Sequence, residues 1–315
     1  MKPLTITLAL AVATASATDL FIPLYQYPLP GAWTPINQTL TDNPTLTTKI
    51  VINPSNGPDG LPNSDYAPNT QMLGAHPNAQ LLGYIHTAPT PTSPRCTRPY
   101  ADLVADIRTW SQWVSDFQIP IRGIFIDEAP TNTANDCVAY MQNLTNFIRD
   151  DASLAFPSPR LVVFNPGGIG NPSLQPYYDM NPDLIVALET CFTDYQFSRG
   201  DTPNTGDQCD PTDRTRERYD HEGYGSSLDR IVFPNIGRQN AARTAILVHG
   251  VHDNNGPSAN FQASEDVLRN MIQAVVRAGI GATFFNTLGY HNFDEAPGTI
   301  QVVARLLREA NETPA

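Results

Sequence analysis

Eight short apolar runs, rich in β-branched residues, cross the chain: Leu20–Tyr25, Lys49–Ile52, Leu81–His86, Ile121–Ile126, Leu161–Phe164, Leu184–Glu189, Ala245–Val248 and Ala282–Asn286. At four to six residues each, they suit parallel strands covered on both faces better than helices. Apolar stripes of helical period separate several of them. Leu103, Ile107, Trp110 and Val114 form one between Tyr100 and Val114, and Val138, Met141, Leu144 and Ile148 form another between Asp136 and Asp150. Ser264 can cap a third helix whose first turn carries Glu265 and Asp266, and a fourth runs from about Thr299 to Glu309. Eight strands alternating with helices in one domain predict an α/β fold of the (β/α)₈ TIM-barrel type with long strand-to-helix loops. An open doubly wound sheet is the competing architecture, but no Gly-x-Gly-x-x-Gly follows the first strand to support a dinucleotide site. The 29 prolines fit extended loops, the longest being Ala88–Pro99 and Ser198–Leu228.

The first 17 residues read as a secretory signal peptide. Lys2 is a minimal basic start, Leu4–Val12 an apolar core too short to span a bilayer, and Ala15-Ser16-Ala17 a small-residue cleavage site. The domain then covers residues 18–315, and a secreted, extracellular or cell-wall location is expected. Removing a segment that holds Lys2 and no acid moves the formal charge from −12 to −13. Such a surface argues against nucleic acid and anionic membranes and tolerates a cationic partner. Cys96, Cys137, Cys191 and Cys209 are the four cysteines. In an oxidising compartment they allow two disulfides in three connectivities, of which Cys96 with Cys137 and Cys191 with Cys209 is the preferred one. Their spacings match no zinc pattern. Asn37, Asn143 and Asn311 open glycosylation sequons, in agreement with export.

Gly123-Ile124-Phe125-Ile126 ends abruptly in Asp127-Glu128. A buried strand finishes in adjacent charges only if they emerge into a solvated cleft, since burying an unpaired carboxylate costs several kcal/mol or forces it to take up a proton. In a barrel the chemistry sits at the C-terminal strand ends. Those ends read Tyr25 and Tyr27, Asn53, His86, Asp127 and Glu128, Asn165, Glu189, His249 and His252, and Asn286. Strand alternation keeps Asp127 and Glu128 from pointing the same way while the backbone stays extended. Glu189 is a second acidic strand end, two strands further on. A carboxylate pair flanking one substrate bond is the requirement of glycoside hydrolysis, where one member attacks or stabilises an oxocarbenium-like centre and the other carries a proton. Such hydrolysis needs no cofactor. His86 is either a satisfied hydrogen-bonding residue or a sugar contact. Asn165 and Asn286 suit the orientation of hydroxyls, and Tyr25, Tyr27, Trp33, Tyr195 and Phe197 either pack or stack on sugar faces. His249, His252 and Asp253 lack the acidic partner and spacing of a metal site, so none is expected.

The segments Leu20-Phe21-Ile22-Pro23-Leu24-Tyr25, Gly123-Ile124-Phe125-Ile126-Asp127-Glu128, Val163-Phe164-Asn165-Pro166-Gly167 and Ala187-Leu188-Glu189 resemble the spherulin 4 family. That family includes fungal secreted glycoside hydrolases acting on galactosaminogalactan, an α-1,4-linked polymer of galactose, N-acetylgalactosamine and galactosamine. The resemblance implies a (β/α)₈ barrel and a galactosaminidase activity. A strand-end cleft fed by long loops suits endo action on a polymer, and a retaining carboxylate pair is the expectation. The spacing that separates retaining (about 5–5.5 Å) from inverting (roughly 6.5–9.5 Å) hydrolysis is not written in the sequence. The resemblance also implies Asp127 as nucleophile or charge stabiliser, Glu189 as acid/base and Glu128 as a binding or positioning residue. Tyr25, Tyr27, His86, Asn165, Asn286 and His249 are the candidate substrate-binding residues. The expected partner is a cationic or partly deacetylated galactosamine-containing polysaccharide, bound by a monomer. Two other schemes stay open. In one, a substrate acetamido group is the nucleophile, oriented by Asp127 with Glu128 as acid. In the other, the protein is a non-catalytic carbohydrate-binding or spore-wall structural protein.

Overall fold

The computed structural model describes residues 17–90, 92–167, 174–192, 228–249, 251, 263–286 and 299–313. Eight parallel strands close into a barrel in chain order: β1 (Asp19–Leu24), β2 (Thr48–Ile52), β3 (Ala79–His86), β4 (Ile121–Asp127), β5 (Leu161–Phe164), β6 (Leu184–Cys191), β7 (Thr244–His249) and β8 (Ala282–Phe285). Every expected strand is present, because each run is apolar on both faces and needs cover inside and out. Closure is made where Asp19 and Leu20 of β1 register with Ala282 and Thr283 of β8.

The outer layer holds α1 (Thr34–Asp42), α2 (Tyr66–Gly74), α3 (Tyr100–Phe117), α4 (Cys137–Asp150), α5 (Gln175–Tyr178), α6 (Phe233–Ile236), α7 (Glu265–Arg277) and α8 (Thr299–Glu312). In α3, Leu103, Ile107 and Trp110 are fully buried, each contributing about 1.5–3 kcal/mol of apolar burial. Ser264 caps α7 by accepting the Val267 N–H, as its sequence position suggests. Helices α1 and α2 escape the periodicity reading, since the first buries only Ile36, Thr39 and Leu40 and the second only Tyr66, Thr70 and Leu73.

Trp110 lies flat over β3 because position 83 is glycine. A Cβ there would stand 2.4 Å from the indole, whose Nε1 donates to the Tyr84 carbonyl at 2.9 Å. A disulfide joins Cys96, in the loop after β3, to Cys137 at the start of α4. Cys209 lies outside the described residues, and with it the expected Cys191–Cys209 pairing. Among the sequons, Asn143 is exposed, Asn37 Oδ1 meets His76 Nε2, and the Asn311 amide exchanges hydrogen bonds with the Thr18 backbone. No helix among the described residues is long and apolar enough to cross a membrane.

Candidate active site

Phe21 of β1 and Phe125 of β4 meet at 5.9 Å between ring centroids, although β2 and β3 separate their strands, so both point into the barrel. Alternation then aims Asp127, two residues beyond Phe125, into the C-terminal mouth. Tyr84 of β3 stacks beside Phe125 at 5.8 Å and donates its hydroxyl to Asp127 Oδ2 at 2.6 Å. The Glu128 N–H donates to Asp127 Oδ1 at 2.8 Å.

Asn165 follows β5, the strand between the two acidic ones. Its Oδ1 accepts the Gly167 N–H at 2.9 Å in a turn that Pro166 and the positive φ of Gly167 (+68°) favour. With the amide oxygen so occupied, the NH₂ faces the mouth. There Nδ2 donates to Asp127 Oδ1 at 2.9 Å and to Glu189 Oε2 at 2.7 Å. Two such bonds meeting at one nitrogen hold the accepting oxygens no more than about 5.6 Å apart. Sequence reasoning expected Asn165 to orient a substrate hydroxyl and missed this bridge. The Asn-Pro-Gly turn on the intervening strand is the signal that points to it.

Burial, and after it the charge on Glu189, pushes Asp127 up to about 7, while its bonds from Tyr84 and the Glu128 N–H pull the other way. Tyr25 sits edge-on to Tyr84 at 5.7 Å, and burial with the nearby charge on Asp127 holds its phenol well above the ordinary range. Tyr25, Tyr84, Asp127, Asn165 and Glu189 therefore form one cluster.

Glu128 leaves that cluster. Its φ of +53° is left-handed, a conformation costing a non-glycine residue about 1–3 kcal/mol and kept only where the surroundings over-determine it. Here Thr87 Oγ1 donates to the Glu128 carbonyl and the Ala129 N–H donates to the Asn165 carbonyl. The turn carries the Glu128 carboxylate sideways, to 3.5 Å from Arg95 Nη1 and 3.6 Å from His86 Nδ1. His86 gives its Nδ1 proton to the Ala88 carbonyl at 2.6 Å.

His249 ends β7 and Asn286 follows β8, and both are buried. Desolvation lowers His249 to about 3, so its ring is neutral throughout the ordinary pH range. Tyr27 makes its contacts away from the acids: its hydroxyl donates to Asp65 Oδ2 at 2.7 Å and its ring meets Tyr66 edge-on at 5.3 Å. Trp33 is core, its Nε1 donating to the Gln26 carbonyl. Tyr195, Phe197, His252 and Asp253 lie outside the described residues. Among the described residues no group of three His, Cys, Asp or Glu side chains is placed to hold a metal.

A closed parallel barrel whose mouth holds two facing carboxylates, bridged by an amide from the strand between them, defines a (β/α)₈ protein with an acid-pair site. The chain belongs to spherulation-specific family 4, whose Spherulin4 model matches residues 19–306. Among solved structures, Sph3 of Aspergillus clavatus, in complex with GalNAc, is similar with a TM-score of 0.68 and 24% identity over 94% of this chain and 99% of that one. A class V chitinase from Pseudomonas fluorescens gives 0.53 at 11% identity, over 92% and 99%. A chitinase from Bacteroides thetaiotaomicron gives 0.51 at 12%, over 92% and 97%. At these identities the likeness is one of fold. No curated protein matches the chain significantly.

Proposed function

We propose that this protein is a secreted glycoside hydrolase that cleaves an α-1,4-linked galactosamine/N-acetylgalactosamine polymer from within, with retention, using Asp127 and Glu189. The observation that carries the reading is the Asn165 amide joining the two carboxylates. Its bound of about 5.6 Å between the two bridged oxygens is compatible with the retaining separation of about 5–5.5 Å between carboxyl groups. With Asp127 raised to about 7 beside Glu189, the pair carries one proton near neutral pH, which is what one nucleophile and one acid require. Three donors converge on Asp127, namely the Tyr84 hydroxyl, the Glu128 N–H and the Asn165 amide, and they favour negative charge there.

In this scheme Asp127 attacks the anomeric carbon while Glu189 gives its proton to the departing glycosidic oxygen. Glu189 then takes a proton from water as the water displaces Asp127 from the glycosyl-enzyme intermediate. The substrate class is supported by the family membership and by the GalNAc bound to the similar Sph3 structure.

The test is incubation of the purified protein with galactosaminogalactan and its partly deacetylated form, with products read by mass spectrometry. Hexosamine oligomers that vanish with Asp127→Asn and Glu189→Gln support the reading. Loss confined to Asp127→Asn and Glu128→Gln would transfer the chemistry to a substrate acetamido nucleophile. Binding without release from either polymer would make the protein a lectin-like wall component.

A further inference from the structure

The Glu128 carboxylate is the acid that the hydrolytic scheme does not use. It lies beside the mouth between the ends of β3 and β4, since Oε2 is 3.6 Å from His86, which shares the inward parity of Tyr84. Arg95 Nη1 faces its other oxygen at 3.5 Å, within ion-pair range but outside hydrogen-bonding geometry. Arg95 Nη1 and Glu128 Oε2 are both buried atoms, and neither has a hydrogen-bond partner among the described residues. The neighbouring groups are already committed: His86 Nδ1 to the Ala88 carbonyl, and Arg98 to Asp106 at 2.6 Å. A desolvated donor and a desolvated acceptor side by side are costly unless something completes them.

Both groups are also held in place. Cys96, next to Arg95, is tied by its disulfide to Cys137, and its N–H donates to Thr87 Oγ1 at 3.3 Å. That same Thr87 hydroxyl donates to the Glu128 carbonyl at 2.6 Å. One threonine therefore fixes the loop carrying the guanidinium relative to the turn carrying the carboxylate.

We propose that Arg95 and Glu128 form a donor–acceptor clamp beside the acid pair for an uncharged sugar substituent that both donates and accepts, a hydroxyl or an acetamide, and that Arg95 sets the discrimination against an ammonium group there. A hydroxyl or amide N–H gives its proton to Glu128 Oε2 while its oxygen accepts from Arg95 Nη1. An ammonium has only donors, so it satisfies the carboxylate, leaves the guanidinium unsatisfied and meets a like charge. The clamp rests on the carbohydrate reading of the site but not on turnover, so the two can fail separately.

The experiment is titration of the full-length protein with the methyl α-glycosides of N-acetylgalactosamine and galactosamine, by calorimetry or ligand-observed NMR under mildly acidic, low-salt conditions. Wild type is expected to favour the acetamido sugar. Arg95→Met should shift the affinity ratio toward the amino sugar by on the order of tenfold, with part of the shift being an absolute gain for galactosamine. Arg95→Lys should keep the exclusion of the amine and weaken the acetamido sugar, because the planar fork is lost. Equal affinity of wild type for the two sugars, binding of neither, or an unchanged ratio in a folded Arg95→Met overturns the clamp and leaves a structural ion pair. Failure of wild type to depolymerise either polymer counts against the hydrolase reading alone.

Discussion

Asp127 and Glu128 are consecutive residues whose carboxylates face different surroundings, the first bonded to Tyr84 and Asn165 inside the barrel mouth, the second turned through a left-handed residue toward Arg95 and His86. A strand that continued regularly would have pointed Glu128 at the helical layer. The left-handed residue converts an alternation rule into two acids serving two purposes on the same rim.

Stability should depend on Asp127 with an unusual sign. Its pKa in the fold is about 7 against an ordinary value of 3.8. Between those values the folded protein holds a proton that the unfolded chain has released, so this group favours folding at low pH, and the benefit is lost as pH rises through 7. Asp127→Asn should abolish turnover yet unfold about 1–3 kcal/mol later than wild type near pH 8, and show little gain near pH 4. Urea denaturation at both pH values checks this, and a variant less stable at the higher pH contradicts it.

The second cause of that raised pKa is the charge on Glu189. Glu189→Gln should therefore move the Asp127 titration downward, to a value between 7 and 3.8. NMR of the ¹³C-labelled carboxyl measures it directly. In wild type, loss of the proton shared by the pair should set the alkaline limb of the pH–rate profile, activity falling as pH rises above about 7 and no acid is left for the leaving group.

Asn165→Ala removes the amide between the acids without touching the strands. The expected loss is about 10²–10³-fold in kcat, from lost stabilisation of charge and lost alignment, with KM changed far less. Steady-state kinetics and a melting curve together separate this from unfolding. A fall in KM-limited binding with kcat intact would make Asn165 a substrate contact, as the sequence first suggested.

Replacing Cys96 and Cys137 together by alanine opens a loop with a sequence separation of 41. Loop-closure entropy puts the loss at about 3–4 kcal/mol, visible as a lower melting temperature by calorimetry. Because Cys96 adjoins Arg95, the sugar preference should weaken in the same variant.

The barrel was legible because parallel strands covered on both faces leave continuous apolar runs, and all eight stand out against proline-rich loops. Helices α3, α4, α7 and α8 were legible because each carries an apolar stripe. Helices α1 and α2 were not: Thr34-Pro35-Ile36 and Tyr66-Ala67-Pro68 begin segments with few apolar positions, held by tertiary contacts more than by pattern. At the site, Asp127 and Glu189 were readable as charges ending apolar strands. The bond from Asn165 to both, the left-handed turn at Glu128 and the approach of Arg95 depend on separate segments meeting in space, which no local pattern encodes. Tyr27 shows the converse, a strand-end aromatic whose hydroxyl is engaged by Asp65 instead of facing the acids.

Strands β4 and β6 never touch, so the gap between Asp127 and Glu189 is gauged by a third party, one side chain on β5 locked by the turn through Gly167. On the hydrolytic proposal, a substitution at position 165 would retune the alignment of both acids while leaving each of them in place. The residue that couples the two acids is thus itself not an acid.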